Sequence, residues 1–324
     1  MTHTYNVGII GVGGVGEVLL KAFQEHPRTN VIAIHDANQA KMQEMSGKYH
    51  LPSFPDYHEL LANEEIDVVY LAVPPKFHHA IALDIIRSGK HILCEKPLAN
   101  SVQEAREMLE EAERASVIHG MNFPTIYRPA FRKLQDFVKS RRIGNIQEIE
   151  LICQFSQWPR PWQQNDWISS REQGGFVKEV FPHYIQMIGM MFGGLAFSHS
   201  SITYPEDPSL SEISILAKGT TLGGIPIAVK GTVDDRLAEA ITFTVKGDNS
   251  AMTLKNWKEL WEITGDGQTK EVQLPAENHL ALLIDHFLQH LEGKPAVTVT
   301  FREGYQVQVV LESLIQIDAV YNGK

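Results

Sequence analysis

The rhythm of hydrophobic positions changes once along the chain. From residue 4 to 121, short apolar runs alternate with amphipathic segments. The runs are Tyr5–Ile10, Val31–His35, Val68–Val73, His91–Cys94 and Val117–Met121. Each is short and rich in Val or Ile, as strands buried on both faces are. The intervening segments have a helical period. One spans Gly16–His26 and stops at Pro27. A second follows Asp56, with Glu59 at capping-box spacing. A third runs from Phe77 to Ser88 and stops at Gly89, and a fourth starts at Ser101, with Glu104 three residues on. Strand and helix in alternation predict a parallel sheet with right-handed crossovers.

Beyond residue 122 the period shortens. A helix is predicted over 130–139, with Phe131, Leu134, Phe137 and Val138 on one side. Period-two runs follow. Ile149, Leu151, Cys153 and Phe155 share a face, as do Ile225, Ile227, Val229 and Val233, and Ile241, Phe243 and Val245. Such alternation predicts a largely antiparallel sheet with two distinct faces. Two helices close the chain. One carries Leu280, Leu283, Ile284, Phe287 and Leu291; the other carries Val307, Val310, Leu311, Leu314 and Ile317, with Thr300 and Glu303 at its start. The fold class is therefore α/β followed by α+β, with domains at 1–122 and 123–324, in line with about 150 residues per domain.

Composition narrows the function. The chain has 324 residues, 43% apolar and 21% charged, which excludes a disordered chain. Its net charge of −10 argues against a dedicated nucleic-acid binder, which needs a Lys/Arg excess to neutralise phosphates. Two cysteines, Cys94 and Cys153, fit a reducing compartment rather than a disulfide scaffold. The run at Val68–Val73 is broken by Pro74 and Pro75, well short of the ~20 residues of a membrane span. The first basic residue is Lys21, so the opening stretch reads as folded sequence and not as a secretory leader. The expectation is a cytoplasmic protein without membrane or nucleic-acid partners.

The strongest chemical signal is Gly11-Val12-Gly13-Gly14-Val15-Gly16, directly after the first strand and opening a helix. In this G-x-G-x-x-G, Gly11 permits the tight turn, Gly13 lets backbone approach a pyrophosphate, and Gly16 lets helix pack on strand. The helix N-terminus then faces the anion. The second strand ends at Asp36, 20 residues after Gly16. A carboxylate there accepts hydrogen bonds from ribose hydroxyls and repels a 2′-phosphate, which favours NAD over NADP. Lys41 lies close enough to soften that preference, so NADP is not excluded. The first domain is thus a Rossmann domain.

With the glycine turn, Asp36, Ala72-Val73-Pro74-Pro75-Lys76-Phe77-His78 and Glu95-Lys96-Pro97, the chain resembles the Gfo/Idh/MocA oxidoreductases over nearly its full length. The resemblance implies an N-terminal Rossmann domain and a C-terminal α+β domain with a large, open, mostly antiparallel sheet that supports the substrate site and oligomer contacts. It implies oxidation or reduction of a carbinol of a sugar, sugar derivative or cyclitol with NAD(P). Lys96 is then the active-site lysine, and Ala72, Val73, Pro74, His78, Glu95 and Asn122 line the cofactor site. A second family element is Gly174-Gly175 followed by Glu179 and His183. The family usually has Asp in place of Glu179 and commonly Gly in place of Phe181. Glu179 and His183 are i and i+4 and share a helix face. Pro182 opens another reading, in which His183 sits near a helix start. The segment around Trp158, Arg160, Trp162 and Trp167 resembles a region bordering cofactor and substrate. These Trp side chains either pack a domain junction or line a sugar site. Arg160, Trp162 and Asp166 are candidate contacts for polyol hydroxyls, beside Lys96 and His183.

Carbinol oxidation needs a proton acceptor near neutral pH and positive charge where an alkoxide develops. An imidazole suits the first role and an ammonium the second. His183 is the candidate base, Lys96 polarises and shares the proton, and Glu179 orients the imidazole. No His, Cys or carboxylate spacing resembles a metal site, so no metal is expected. The alternative is a non-catalytic NAD(H)-binding sensor of the same fold; a third reading is reduction of a C=N or conjugated C=C bond. An open face of the second sheet leads to the expectation of a homodimer or homotetramer through that face.

Overall fold

The computed structural model describes residues 3–163 and 165–321. In chain order the helices and strands are β1 (Tyr5–Ile10), α1 (Gly14–Glu25), β2 (Thr29–His35), α2 (Gln39–Tyr49), α3 (Tyr57–Leu61), β3 (Val68–Leu71), α4 (His78–Arg87), β4 (His91–Cys94), α5 (Val102–Ala115) and β5 (His119–Met121). Then come α6 (Pro129–Lys139), β6 (Ile146–Phe155), α7 (Phe176–Phe192), β7 (Leu195–Thr203), β8 (Ser214–Thr221), β9 (Pro226–Val233) and β10 (Ala240–Gly247). The chain closes with β11 (Ser250–Lys255), β12 (Glu259–Thr264), β13 (Thr269–Glu271), α8 (His279–Leu291) and α9 (Phe301–Tyr321). Contacts divide it into two units: residues up to Pro124 with Leu280–Gln306, and Thr125–His279 with Val307 onward.

The first unit is built on a five-stranded sheet in the order β2-β1-β3-β4-β5, parallel throughout. All four residues of β3 are buried, as are the last four of β1. The chain turns outward in opposite directions from β1, to β2 on one side and β3 on the other. The carboxyl ends of β1 and β3 thus flank a topological switch point, where open α/β sheets bind ligands. The expected caps form. The Asp56 carboxylate accepts from the His58 N–H at 2.9 Å. Ser101 Oγ accepts from the Glu104 N–H at 3.2 Å, and the Glu104 carboxylate accepts from the Asn100 N–H at 3.0 Å, one residue before the usual return position. Gly89 takes φ +77° after α4. Helix α2 was not foreseen, because only Met42 and Met45 are buried on it and the apolar stripe is too thin to read.

The closing segment of this unit docks against β5. The Met121 N–H donates to Val299 O at 2.7 Å, and the Phe301 N–H donates to Nδ1 of His119 at 3.0 Å. The His119 and Phe301 rings stack at 4.8 Å. A Cβ at Gly120 would lie 2.9 Å from the Phe287 ring, so Gly120 lets α8 approach the strand. Hydrophobic period finds α8 but does not say which sheet it packs on.

The second unit holds an eight-stranded sheet in the order β13-β12-β11-β10-β6-β9-β8-β7, antiparallel except for the β6–β9 pair. Ile149, Leu151, Cys153 and Phe155 of β6 are buried on one face, with Ile227 and Val229 of β9 and Ile241, Phe243 and Val245 of β10. Strand β7 escaped the pattern for a physical reason. Its register shifts between Phe197 and His199, so the buried positions pass from Leu195 and Phe197 to Ser200 and Ile202 and the alternation loses phase. Among the described residues, no helix is long and apolar enough to cross a membrane.

His119 makes the first unit sensitive to acid. Burial is the main cause that pushes its imidazole down to about 4, and the nearby His290 adds to it. The neutral ring is therefore the folded form, with Nδ1 accepting from Phe301. This contribution is complete above the unfolded value of about 6.5 and is lost as pH falls toward 4. We expect the urea midpoint to fall over that range. His119→Asn, which offers an acceptor but nothing to titrate, should remove on the order of 1–3 kcal/mol of the stability lost over that range. An unchanged slope contradicts this assignment.

Candidate active site

The glycine turn leaves β1 with no space for side chains at two positions. Gly11 has φ +95°, and a Cβ on it would lie 2.3 Å from Ala72 O; one on Gly16 would lie 2.1 Å from Gly11 O. Gly13 and Gly14 differ, since a Cβ at either meets nothing within 4 Å. Two glycines thus close the turn and two keep open backbone in front of α1. Gly13 supplies no side-chain cap to the helix, so the N–H groups of the first turn lack a side-chain acceptor at that position. Asp36 ties the turn to the end of β2. Its Oδ2 accepts from the Val12 N–H at 2.8 Å and its Oδ1 from the Asn38 N–H at 2.8 Å. Each oxygen keeps a lone pair for a ligand hydroxyl. Lys41 directs its ammonium to Glu44, 3.3 Å away, so its charge is partly spent on its own helix. Val12 is buried and Val15 half exposed.

Ala72, Val73 and Pro74 follow β3, and Glu95 and Lys96 follow β4. His78 joins these two loops. It is fully buried, with Nε2 2.8 Å from Val73 O and Nδ1 2.9 Å from Pro97 O. Burial, the largest cause, pushes its basicity down, while the carbonyls favour the proton. The ring thus bridges the backbone of the two loops. Lys96 is half-buried.

Glu95 and Asn122 are also enclosed, at 8% and 3% exposure. Tyr70 of β3 donates to Oε1 of Glu95 at 2.5 Å, and the Asn122 amide donates to the same oxygen. The Lys96 N–H donates to the other oxygen at 3.2 Å. Burial pushes the Glu95 carboxyl up against these donors and pushes the Tyr70 hydroxyl up further. The ends of β3, β4 and β5 are thereby joined. Oδ1 of Asn122 is buried with no hydrogen-bond donor among the described residues. Tyr70 was missed because its ring merges into the apolar run of β3.

In the second unit, α7 follows two glycines. A Cβ on Gly174 would lie 2.1 Å from Ile168 O; on Gly175, at φ +96°, it would lie 2.3 Å from a Glu212 carboxylate oxygen. Glu179 sits in the first turn of α7 and His183 one turn later, both half-buried. Pro182 lies inside the continuous 17-residue helix, so His183 is not at a helix start. The proline costs the helix one N–H, not its continuity. His183 packs edge-on to Trp257 at 5.2 Å, and Trp257 stacks on Tyr184 at 4.6 Å. Asn256 and Trp257 have φ +47° and +68°. This turn was not foreseen, since no local signal links residue 257 to 183.

Arg160 is only 11% exposed. Its Nε lies 2.9 Å from Glu239, and its guanidinium lies over the rings of Phe155, Trp158 and Trp162 at 5.0, 5.4 and 5.6 Å. Its charge thus lies within this aromatic cluster, beside Glu239. Trp158 donates from Nε1 to Ile168 O at 3.1 Å, so it packs, whereas Trp162 is 67% exposed and Asp166 is exposed in a short 3₁₀ turn.

Two family models match this chain. One describes an oxidoreductase family with an NAD-binding Rossmann fold and matches residues 5–123; the other describes the C-terminal alpha/beta domain of that oxidoreductase family and matches residues 135–319. The chain is similar to glucose-6-phosphate 3-dehydrogenase of Bacillus subtilis, with 29% identity over 188 residues, 57% of this chain and 53% of that one. It is similar to myo-inositol 2-dehydrogenase of Thermotoga maritima, with 26% identity over 58% of this chain and 54% of that one. The match thus spans about half the length of these curated relatives. A levoglucosan dehydrogenase structure, in complex with NADH and L-sorbose, has the same fold: TM-score 0.84, 20% identity, covering 98% of this chain and 97% of that one.

The glycines provide a direct check on the turn. Gly16→Ala forces a Cβ into a backbone carbonyl and should lower the thermal midpoint by on the order of 10 °C or prevent folding. Gly13→Ala meets nothing and should melt within a few degrees of the parent. Equal midpoints for the two variants contradict the distinction.

Proposed function

The chain belongs to the Gfo/Idh/MocA family of oxidoreductases, and from that membership we propose an NAD-dependent dehydrogenase acting on a carbinol of a sugar, sugar derivative or cyclitol. The observation that carries the reading lies within the first unit. An open glycine turn, a tethered Asp36 and Lys96 stand at the carboxyl ends of β1, β2 and β4 of one parallel sheet. The names of relatives support the substrate class, because glucose-6-phosphate and myo-inositol are both polyols.

Bound NAD supplies the hydride acceptor. The protein does the rest. The backbone at Gly13 and Gly14 and the α1 N-terminus hold the pyrophosphate, and the spare lone pairs of Asp36 hold ribose hydroxyls. Asn122, tied by its amide to Glu95, would line the cofactor site with Ala72, Val73 and Pro74. Lys96 brings positive charge to the reacting oxygen, so the alkoxide forms at lower cost. His183 takes the hydroxyl proton on an imidazole nitrogen, and Glu179, one turn earlier on the same face, orients the ring and stabilises its protonated form. Exposed Trp162 and Asp166 offer an apolar face and an acceptor to a polyol.

The experiment is a screen of polyols and sugar phosphates with NAD and with NADP, read at the reduced-nicotinamide absorbance. We expect turnover with NAD. Lys96→Met and His183→Ala should each lower kcat by about 10²–10⁴-fold and leave NAD affinity within about threefold. Gly13→Ala should weaken NAD about tenfold, a cost near 1.4 kcal/mol. Near-parental turnover in both the Lys96 and His183 variants removes their roles. NAD binding with no turnover on any substrate favours a sensor.

A further inference from the structure

Helix α7 begins at Gly175, which has no side chain with which to cap it. The acceptor comes from 35 residues away: Oε1 of Glu212 accepts from the Val177 N–H at 2.7 Å, and Oε2 faces Gly175. Glu212 is 6% exposed. The loop that delivers it is fixed. The Arg171 N–H donates to Ser209 O at 2.8 Å, the Ser211 N–H donates to Ser169 O at 2.8 Å, and Ser170 bridges to Leu210. The charged groups facing the carboxyl are Lys178 and Arg171, both cations. Lys178 is drawn off to the Arg171 carbonyl at 3.0 Å. Burial pushes the carboxyl up to about 7 despite these neighbours and the Val177 bond.

We propose that Glu212 is the positioning residue of the His183 helix, setting the direction of the first turn of α7 through its hydrogen bond to Val177 and its contact with Gly175. The need for two successive glycines then has two separate causes: the Ile168 carbonyl at Gly174 and the Glu212 carboxyl at Gly175. The leverage is large. His183 is six residues beyond Val177, about 9 Å along the helix axis, so a 10° tilt of the first turn moves it by about 1.5 Å. Displacements of that size cost on the order of a hundredfold in rate. The inference rests on the proposed role of His183, so the test includes a readout that needs no turnover.

The test compares Glu212→Ala with Glu212→Gln in the full-length protein. The amide of Gln keeps an acceptor for Val177; Ala removes it. Amide hydrogen exchange in 176–183 should rise at least tenfold in Glu212→Ala and stay within threefold of the parent in Glu212→Gln, with exchange in 14–25 unchanged in both. On a turned-over substrate, Glu212→Ala should lose 10- to 100-fold in kcat with NAD affinity within twofold, and Glu212→Gln should restore it. If Glu212→Ala does not fold, Glu212→Asp takes its place. Its carboxyl is one methylene short, and exchange in 176–183 should rise three- to tenfold. Unchanged exchange overturns the proposal. So does Gln damage equal to that of Ala, or an active Glu212→Ala enzyme with raised exchange and parental kcat. If no substrate is turned over, the proposed activity fails while the exchange result still decides whether Glu212 sets the helix start.

Discussion

Backbone meets backbone at the end of β1, and the nucleotide half of the protein depends on that contact. The Gly11 carbonyl lies where a Cβ of residue 16 would be, and the Ala72 carbonyl lies where a Cβ of residue 11 would be. Because both positions are glycine, α1 can start immediately above the strand with its first N–H groups directed outward. Asp36 then fixes the turn from the neighbouring strand through the Val12 N–H. A side chain at either crowded glycine separates helix from sheet and loses the anion-facing geometry.

A second constraint lies at the carboxyl ends of β3, β4 and β5. The parallel strands end in polar groups that have no water to solvate them, and they satisfy one another. Tyr70, Glu95 and Asn122 share one carboxylate, and His78 spans the carbonyls of Val73 and Pro97. Buried networks of this kind are specific because every unpaired member is costly. One acceptor of the network, Asn122 Oδ1, meets no donor among the described residues. Within the Glu-Lys-Pro element, Glu95 anchors the ends of neighbouring strands, and Lys96 stands next to it.

Much of this was legible in the sequence. The limits of β1 and β4, the glycine turn, Asp36 at the end of β2 and the buried faces of β6, β9 and β10 follow from period and turn chemistry. What failed had local physical causes. A bulge in β7 put its alternation out of phase, and α2 buries too little to show a stripe. The burial of His78 was not legible, because motif position says nothing of burial. The aromatic neighbours of Arg160 are close in sequence, but Glu239, which meets its Nε, lies far along the chain and left no local signal. The caps at Ser101 and Thr300 were visible because they are local. Glu212 was not, because it caps a helix from 35 residues away.

The central claim is that the chain moves hydrogen from a carbinol carbon to NAD. The most direct measurement is label transfer: a substrate polyol deuterated at its carbinol carbons is incubated with the protein and NAD, and the nicotinamide product is weighed by mass spectrometry. The account predicts reduced cofactor heavier by one deuterium, formed only with the protein present. Reduced cofactor without label, or bound NAD that gains no hydrogen from any polyol offered, contradicts it.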